Sequence, residues 1–296
     1  MTVFRTLITS YSILRLIFFC ASAAFFSGCS SLLFYPYPAH VFTPEEAGVN
    51  YQDIYLESND GVKLHGWLLN APYPPKGIVY YLHGNAENIS THVANVIWLP
   101  ERGYSVFCLD YRGFGKSEGS PELSGAILDA ATGYHWVTHQ PEFTHTPKYL
   151  MGQSMGAAIT IVTASAQHLP EDGVKGIVID AGLTGFRAIS REKLGQFWLT
   201  WPFQYPLSWL ITNDYEPIES VSRLSPTPTL FIHSTQDEII PYAHGMSLFK
   251  AARPPKALLT TETRHTATFA YQNFRETLLK FLDDPIAFTT AKSKSQ

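Results

Sequence analysis

Ser154 lies in Gly152-Gln153-Ser154-Met155-Gly156, a G-x-S-x-G pentapeptide. The short apolar run Lys148-Tyr149-Leu150-Met151 precedes it, and Ala157-Ala158-Ile159-Thr160-Ile161-Val162, which suits a helix, follows. A serine on so sharp a strand-to-helix turn stands clear of the sheet beside a helix N-terminus. The flanking glycines are required because side chains there would collide across the turn. A hydroxyl is a weak nucleophile until a base takes its proton, and the base must be oriented by a third group. On such a turn the partners follow in the order serine, acid, histidine. Asp237, in His233-Ser234-Thr235-Gln236-Asp237-Glu238-Ile239-Ile240-Pro241, fits the acid, and His265, in Thr263-Arg264-His265-Thr266, fits the base. Each follows a strand-like run, and loops at strand C-terminal ends are where such sheets place function. The interval from 154 to 237 leaves room for a strand and an insertion. That from 237 to 265 leaves room for one helix and one strand.

Other titratable residues compete for these roles. Asp180 also ends a strand and is the alternative acid. Glu238 neighbours Asp237 and is expected to point elsewhere. His244 lies in the segment that opens a helix, where no strand end presents it to Ser154. His233 ends its strand and reads as structural. His40, His65, His83, His92, His135, His139 and His168 include no H-E-x-x-H spacing. His135 and His139 are four apart on a predicted helix, but no nearby carboxylate or cysteine completes a zinc site, so no metal is expected.

A tetrahedral intermediate needs donors aimed at its oxyanion. One expected donor is the backbone N–H of Met155, directly after the nucleophile. The other is the backbone N–H of Asn85, in His83-Gly84-Asn85-Ala86-Glu87-Asn88, where Gly84 lets the chain approach substrate. His83 is expected to hold this loop. Asp110-Tyr111-Arg112-Gly113-Phe114-Gly115-Lys116-Ser117 reads as a structured turn in which Asp110 and Arg112 make buried polar contacts without taking part in chemistry.

Strand and helix patterns alternate from residue 50. Asp53–Leu56 and Val62–Leu69 flank Asn59-Asp60-Gly61, the signature of an antiparallel hairpin. Apolar strands follow at 77–82, 104–109, 148–151, 176–179, 229–232 and 257–260, with helices at 89–101, 121–138, 241–251 and 266–283. The alternation predicts an α/β fold with a mostly parallel sheet covered on both faces. Residues 183–222 are too long for a simple crossover and hold Phe186, Phe197, Trp198, Trp201, Phe203, Tyr205 and Trp209. They read as a lid whose aromatics line an apolar pocket, touch a bilayer, or pack the lid onto the body.

The N-terminus belongs to targeting. Arg5 and Arg15 precede an uncharged apolar run from Leu16 to Gly28, which suits a signal peptide and is short for a membrane span. It ends in Phe26-Ser27-Gly28-Cys29, similar to a bacterial lipobox that would lipidate Cys29; an uncleaved anchor helix is the alternative. Either way the catalytic part is expected outside the cytoplasm and tied to a membrane, with Ser30 favouring the periplasmic side of the outer membrane. The expected organisation is a signal peptide over 1–28, a linker over 30–49, one domain over 50–284 with the lid inside it, and a frayed tail over 285–296. Cys20, Cys29 and Cys108 are the only cysteines, and Cys108 sits in an apolar strand, so no disulfide framework is expected in the mature domain. The net charge of −4 carries no basic stripe that would suggest nucleic acid.

Taken together, His83-Gly84-Asn85-Ala86-Glu87-Asn88-Ile89, Asp110–Ser117, Gly152–Ala158 and Asp237–Pro241 resemble the α/β-hydrolase superfamily, and most of all its Bem46-like branch, often grouped with serine aminopeptidase-like hydrolases. The resemblance runs from residue 50 to about 280 and implies Ser154, Asp237 and His265 as nucleophile, acid and base. Relatives commonly carry glycine before the histidine, where this chain has Arg264. The expected activity is a membrane-tethered serine hydrolase acting on ester or thioester substrates, with a small-molecule or lipid acyl group. Amide or peptide cleavage is the enzymatic alternative, and a non-catalytic binding lipoprotein the other. No G-x-G-x-x-G follows a strand, so no cofactor is expected.

Overall fold

The computed structural model describes residues 34–293 other than 168, 170 and 171. The signal-peptide and lipobox expectations, Cys29 included, lie outside the described residues. Eight strands form one sheet in the order β1-β2-β4-β3-β5-β6-β7-β8. They are β1 (Tyr51–Glu57), β2 (Lys63–Leu69), β3 (Gly77–Leu82), β4 (Tyr104–Asp110), β5 (Lys148–Gln153), β6 (Val174–Asp180), β7 (Thr229–Ser234) and β8 (Lys256–Thr261). β1 and β2 pair antiparallel, β2 joins β4 antiparallel, and every pairing from β4 through β8 is parallel. The expected α/β architecture with an antiparallel start is the observed one.

β3, β4, β5 and β7 are buried along their whole length because both faces of the sheet are covered there. On β3, Ile78, Tyr80 and Leu82 enter one core with Leu123, Ala126, Ala130 and Val137 of α1 (Leu123–His139) and with α2 (Met155–Ala164). Val79 and Tyr81 enter the opposite core, where Leu278, Phe281 and Leu282 of α5 (Gln272–Asp283) close the layer. Period-two alternation therefore decides which core each residue joins. Between these helices in sequence lie α3 (Phe186–Gln196), in the lid, and α4 (Tyr242–Ala251).

Four local expectations are corrected. Residues 89–101 form no continuous helix: one turn at Ile89–His92 is followed by 3-10 turns at Val93–Asn95 and Pro100–Arg102, the last opened by a proline. The final helix begins at Gln272 rather than near 266, after a short turn at Thr268–Ala270. The tail is helical as far as described, α6 (Pro285–Ser293), with Thr289 buried and Phe288 edge-on to Phe281. The stretch expected as a linker is an ordered strap from residue 34 onward. Asn88 Nδ2 donates to the carbonyls of Tyr37 and Ala39, and Tyr37 N–H donates to the Glu87 carbonyl. Backbone bonds to a neighbouring loop, which composition does not report, hold it there.

The turn after β5 works only without side chains at two positions. A Cβ at Gly152 would overlap the Gly156 carbonyl oxygen and Thr160 Oγ1, and one at Gly156 would overlap the Leu82 and His83 carbonyl oxygens. The backbones of the elbow and of the loop after β3 are thus in direct contact. Gly156→Ala should destabilise the fold by about 1–3 kcal/mol, because backbone atoms cannot yield as side-chain ends do. Thermal unfolding should show Tm lower by several degrees.

Candidate active site

Ser154 stands between β5 and α2 with φ +58° and ψ −119°, a left-handed backbone that a non-glycine residue adopts only under constraint. Its N–H donates to the Asp180 carbonyl at 2.9 Å, which ties the elbow to β6. The hydroxyl is thereby aimed out of the sheet, with the first N–H groups of α2 beside it.

His265 meets that hydroxyl. Its Nε2 lies 3.0 Å from Ser154 Oγ and its Nδ1 lies 2.7 Å from Asp237 Oδ2. Asp237 Oδ1 accepts the N–H groups of Ile239 and Ile240 at 2.9 and 2.8 Å, so one oxygen is fixed by backbone and the other is left for the imidazole. Burial works against the Asp237 charge, but the His265 hydrogen bond and charge and these two N–H groups hold its carboxyl below the usual range. The carboxylate can therefore keep the proton of His265 on Nδ1, leaving the Nε2 lone pair toward Ser154. That is the arrangement a general base needs.

Asp180 does not reach His265. Its carboxyl accepts Gln153 Nε2 at 2.8 Å and Thr268 Oγ1 at 3.2 Å, and burial pushes it up to about 6. Its place is beneath the elbow, bracing Gln153. His244 contacts Thr184 and Glu192 of the lid segment, and His233 Nε2 lies 2.9 Å from the Ile240 carbonyl. Arg112 is buried and pairs with Asp129 and Asp60. His135 and His139 stack on each other on α1, with ring centroids 3.9 Å apart.

Glu238 has a role the sequence reading did not assign. Its Oε2 accepts the His265 N–H at 3.0 Å and its Oε1 accepts Arg264 Nε at 3.2 Å. Arg264 thus finds its partner beside the acid. An arginine at 264, where the resemblance led to an expectation of glycine, was the available signal.

Asn85 and Met155 line the same cleft as Ser154, with Phe34 and Tyr35 of the strap, Leu183, Phe186, Ile189 and Lys193 of the lid segment, and Ile239 and Ile240. The cleft has a volume of about 240 Å³ and an apolar wall. Asn85 Oδ1 accepts the N–H groups of Tyr35 and Ala86, which fixes the loop against the strap. Gly84 brings the loop to Ser154: a Cβ there would lie 3.3 Å from that of Ser154. Of the lid aromatics only Phe186 turns into the cleft. Trp198, Trp201 and Trp209 are 77%, 60% and 64% exposed, so they do not pack the lid onto the body.

Residues 73–223 match the family described as serine aminopeptidase, S33. The chain belongs to this family. It is 30% identical over 261 residues to protein YfhR of Salmonella typhimurium, across 83% of this chain and 84% of that protein. It is 26% identical over 219 residues to protein bem46 of Schizosaccharomyces pombe, across 71% and 68% respectively. Its fold is similar to that of the esterase Pf2001 of Pyrococcus furiosus, with a TM-score of 0.67 and 22% identity across 84% of this chain and 95% of that one. The α/β-hydrolase fold expected from the motifs is the fold of this family, and the chain is a hydrolase by family.

Asp237→Asn should leave the backbone intact and lower kcat by about 10⁴, because an amide facing Nδ1 favours the wrong tautomer. Glu238→Gln keeps an acceptor for the His265 N–H and should cost less than about tenfold. Asp180→Asn should change Tm more than kcat. Steady-state kinetics on the three variants, with melts alongside, check this ordering.

Proposed function

We propose that the chain is a membrane-tethered serine hydrolase that cleaves carboxylic esters or thioesters through an acyl-enzyme. The observation that carries this reading is the continuous contact from Asp237 through His265 to the Ser154 hydroxyl. Ser154 Oγ attacks the acyl carbonyl while His265 Nε2 takes its proton. The carbonyl electron pair moves to oxygen, which the backbone N–H groups of Met155 and Asn85 receive. As the tetrahedral centre collapses, the bond to the leaving alcohol or thiol breaks and the imidazolium protonates it. Water then repeats the sequence on the acyl-enzyme, regenerating Ser154 and releasing the acid. Asp237 stabilises the imidazolium in both halves without taking its proton.

The walls and surroundings of the cleft support a lipid acyl substrate at a bilayer. Phe34, Phe186, Ile189 and Ile240 offer apolar contact and few hydrogen-bonding groups. The exposed face of the lid carries Phe197, Trp198, Leu199, Trp201, Phe203 and Trp209, an aromatic surface suited to a membrane interface. Cys29 lies five residues before Phe34, a reach of at most roughly 18 Å when fully extended. A lipid on Cys29 would therefore hold the mouth of the cleft against the membrane, with the lid toward it. Periplasmic exposure on the outer membrane is the compartment this reading favours.

Ser154→Ala should keep Tm and lose hydrolysis of p-nitrophenyl esters. Across esters of increasing chain length, kcat/KM should rise beyond acetate and exceed that for an aminoacyl p-nitroanilide. Retained turnover in Ser154→Ala would remove the nucleophile, and a preference for the anilide would shift the assignment to aminopeptidase.

A further inference from the structure

On the far side of the loop after β3, three residues from separate parts of the chain converge: His40 of the strap, His65 of β2 and Asp110 at the end of β4. Their ligand-type atoms all lie within 4.8 Å of one another. His65 and Asp110 are fully buried, and the His40 side chain is 8% exposed. The site's chemistry is unused by the hydrolytic mechanism.

Proton placement exposes an unmet bond. His65 Nε2 lies 2.6 Å from Asp53 Oδ1, so Nε2 carries the proton and donates it. The ring then presents a lone pair at Nδ1, which is buried and makes no hydrogen bond among the described residues. That lone pair faces Asp110 Oδ2 at 4.0 Å. At 4.0 Å the two atoms are too far apart for a direct hydrogen bond. Two bonds of about 2.0–2.1 Å at a tetrahedral angle set donor atoms roughly 3.3–3.4 Å apart, so a shared cation would draw these two together by about 0.6 Å. His40 Nε2 is hydrogen-bonded to the same Asp110 oxygen at 3.2 Å, a spacing that already suits two ligands of one ion.

We propose that His40 Nε2, His65 Nδ1 and Asp110 Oδ2 form a structural binding site for a divalent cation, with zinc as the ion that fits two imidazoles and a carboxylate. Two further features fit this site. Asp53 receives the outer N–H of His65, the hydrogen bond that fixes ring orientation in histidine metal sites. Gly115 closes the other side, where a Cβ would overlap Asp110 Oδ2 and lie 2.8 Å from His40 Nε2. The other Asp110 oxygen accepts the Ile89 N–H at 2.8 Å and lies 3.4 Å from His83 Nε2. One carboxylate thus joins the cation to the loop that carries Asn85. The cation's work is to clamp the strap, and with it Phe34 and Tyr35, onto that loop. No spacing rule finds this site, because its three residues lie far apart in sequence.

The test uses the full chain stripped with a chelator and titrated with zinc ion alone. One zinc per chain should survive desalting by elemental analysis, and zinc at about 100 times its Kd should raise Tm by roughly 5–10 °C. His40→Gln and His65→Gln should each lose both effects. A His135→Ala, His139→Ala double variant, which removes the stacked surface pair, should keep both. No uptake and no Tm rise in the unmodified chain overturns the proposal, as does uptake that survives either glutamine substitution. Should both glutamine variants fail to fold, cobalt loading of the unmodified chain decides: intense tetrahedral absorption bands support the site, and weak octahedral bands overturn it. None of these readouts depends on hydrolysis.

Discussion

The whole site hangs on the left-handed backbone of Ser154. That conformation is costly for any residue with a side chain, and it persists because its surroundings leave no alternative. Gly152 and Gly156 admit carbonyl oxygens that no Cβ could share space with, and the Ser154 N–H is held by the Asp180 carbonyl. The buried, mostly parallel sheet is what makes such a constraint affordable, since the strands on either side of β5 fix the turn before the side chain is placed.

Two neighbouring loops, at the ends of the adjacent parallel strands β7 and β8, then complete the site. The β7 loop supplies Asp237 with one oxygen tied by backbone N–H groups and the other free for the imidazole. The loop after β8 brings His265, anchored through its own N–H to Glu238. Geometry is fixed twice on the acid side, once through the carboxylate and once through the neighbouring glutamate. On the other flank the N-terminal strap and the Asn85 loop are interwoven, so the cleft is shaped by residues from before the first strand of the sheet. The strap is also the part of the described chain nearest Cys29 in sequence.

The motif-bearing part of this arrangement was legible from residue types. G-x-S-x-G on a strand-to-helix turn, an aspartate after β7 and a histidine after β8 are local signals, and the strands themselves show as apolar runs of strand length. What stayed hidden depends on contacts between distant segments. Glu238 could not be placed because its partner is a backbone N–H across two loops. The strap read as a linker because its order comes from bonds to Asn88 and Glu87, not from its own pattern. Helix 89–101 was overcounted because periodicity says nothing of Pro100, which opens a 3-10 turn instead. The lid aromatics left three readings open, and solvent exposure, invisible in sequence, separates Phe186 in the cleft from the tryptophans on the surface.

The most direct measurement is peptide mapping after reaction with a fluorophosphonate, which modifies a serine only when a base activates it. The account predicts a single adduct on Ser154 in the folded chain, with its rate of formation reduced by orders of magnitude in His265→Ala. Labelling that is absent from folded protein, lands on another serine, or proceeds unchanged without the imidazole at 265 would contradict it.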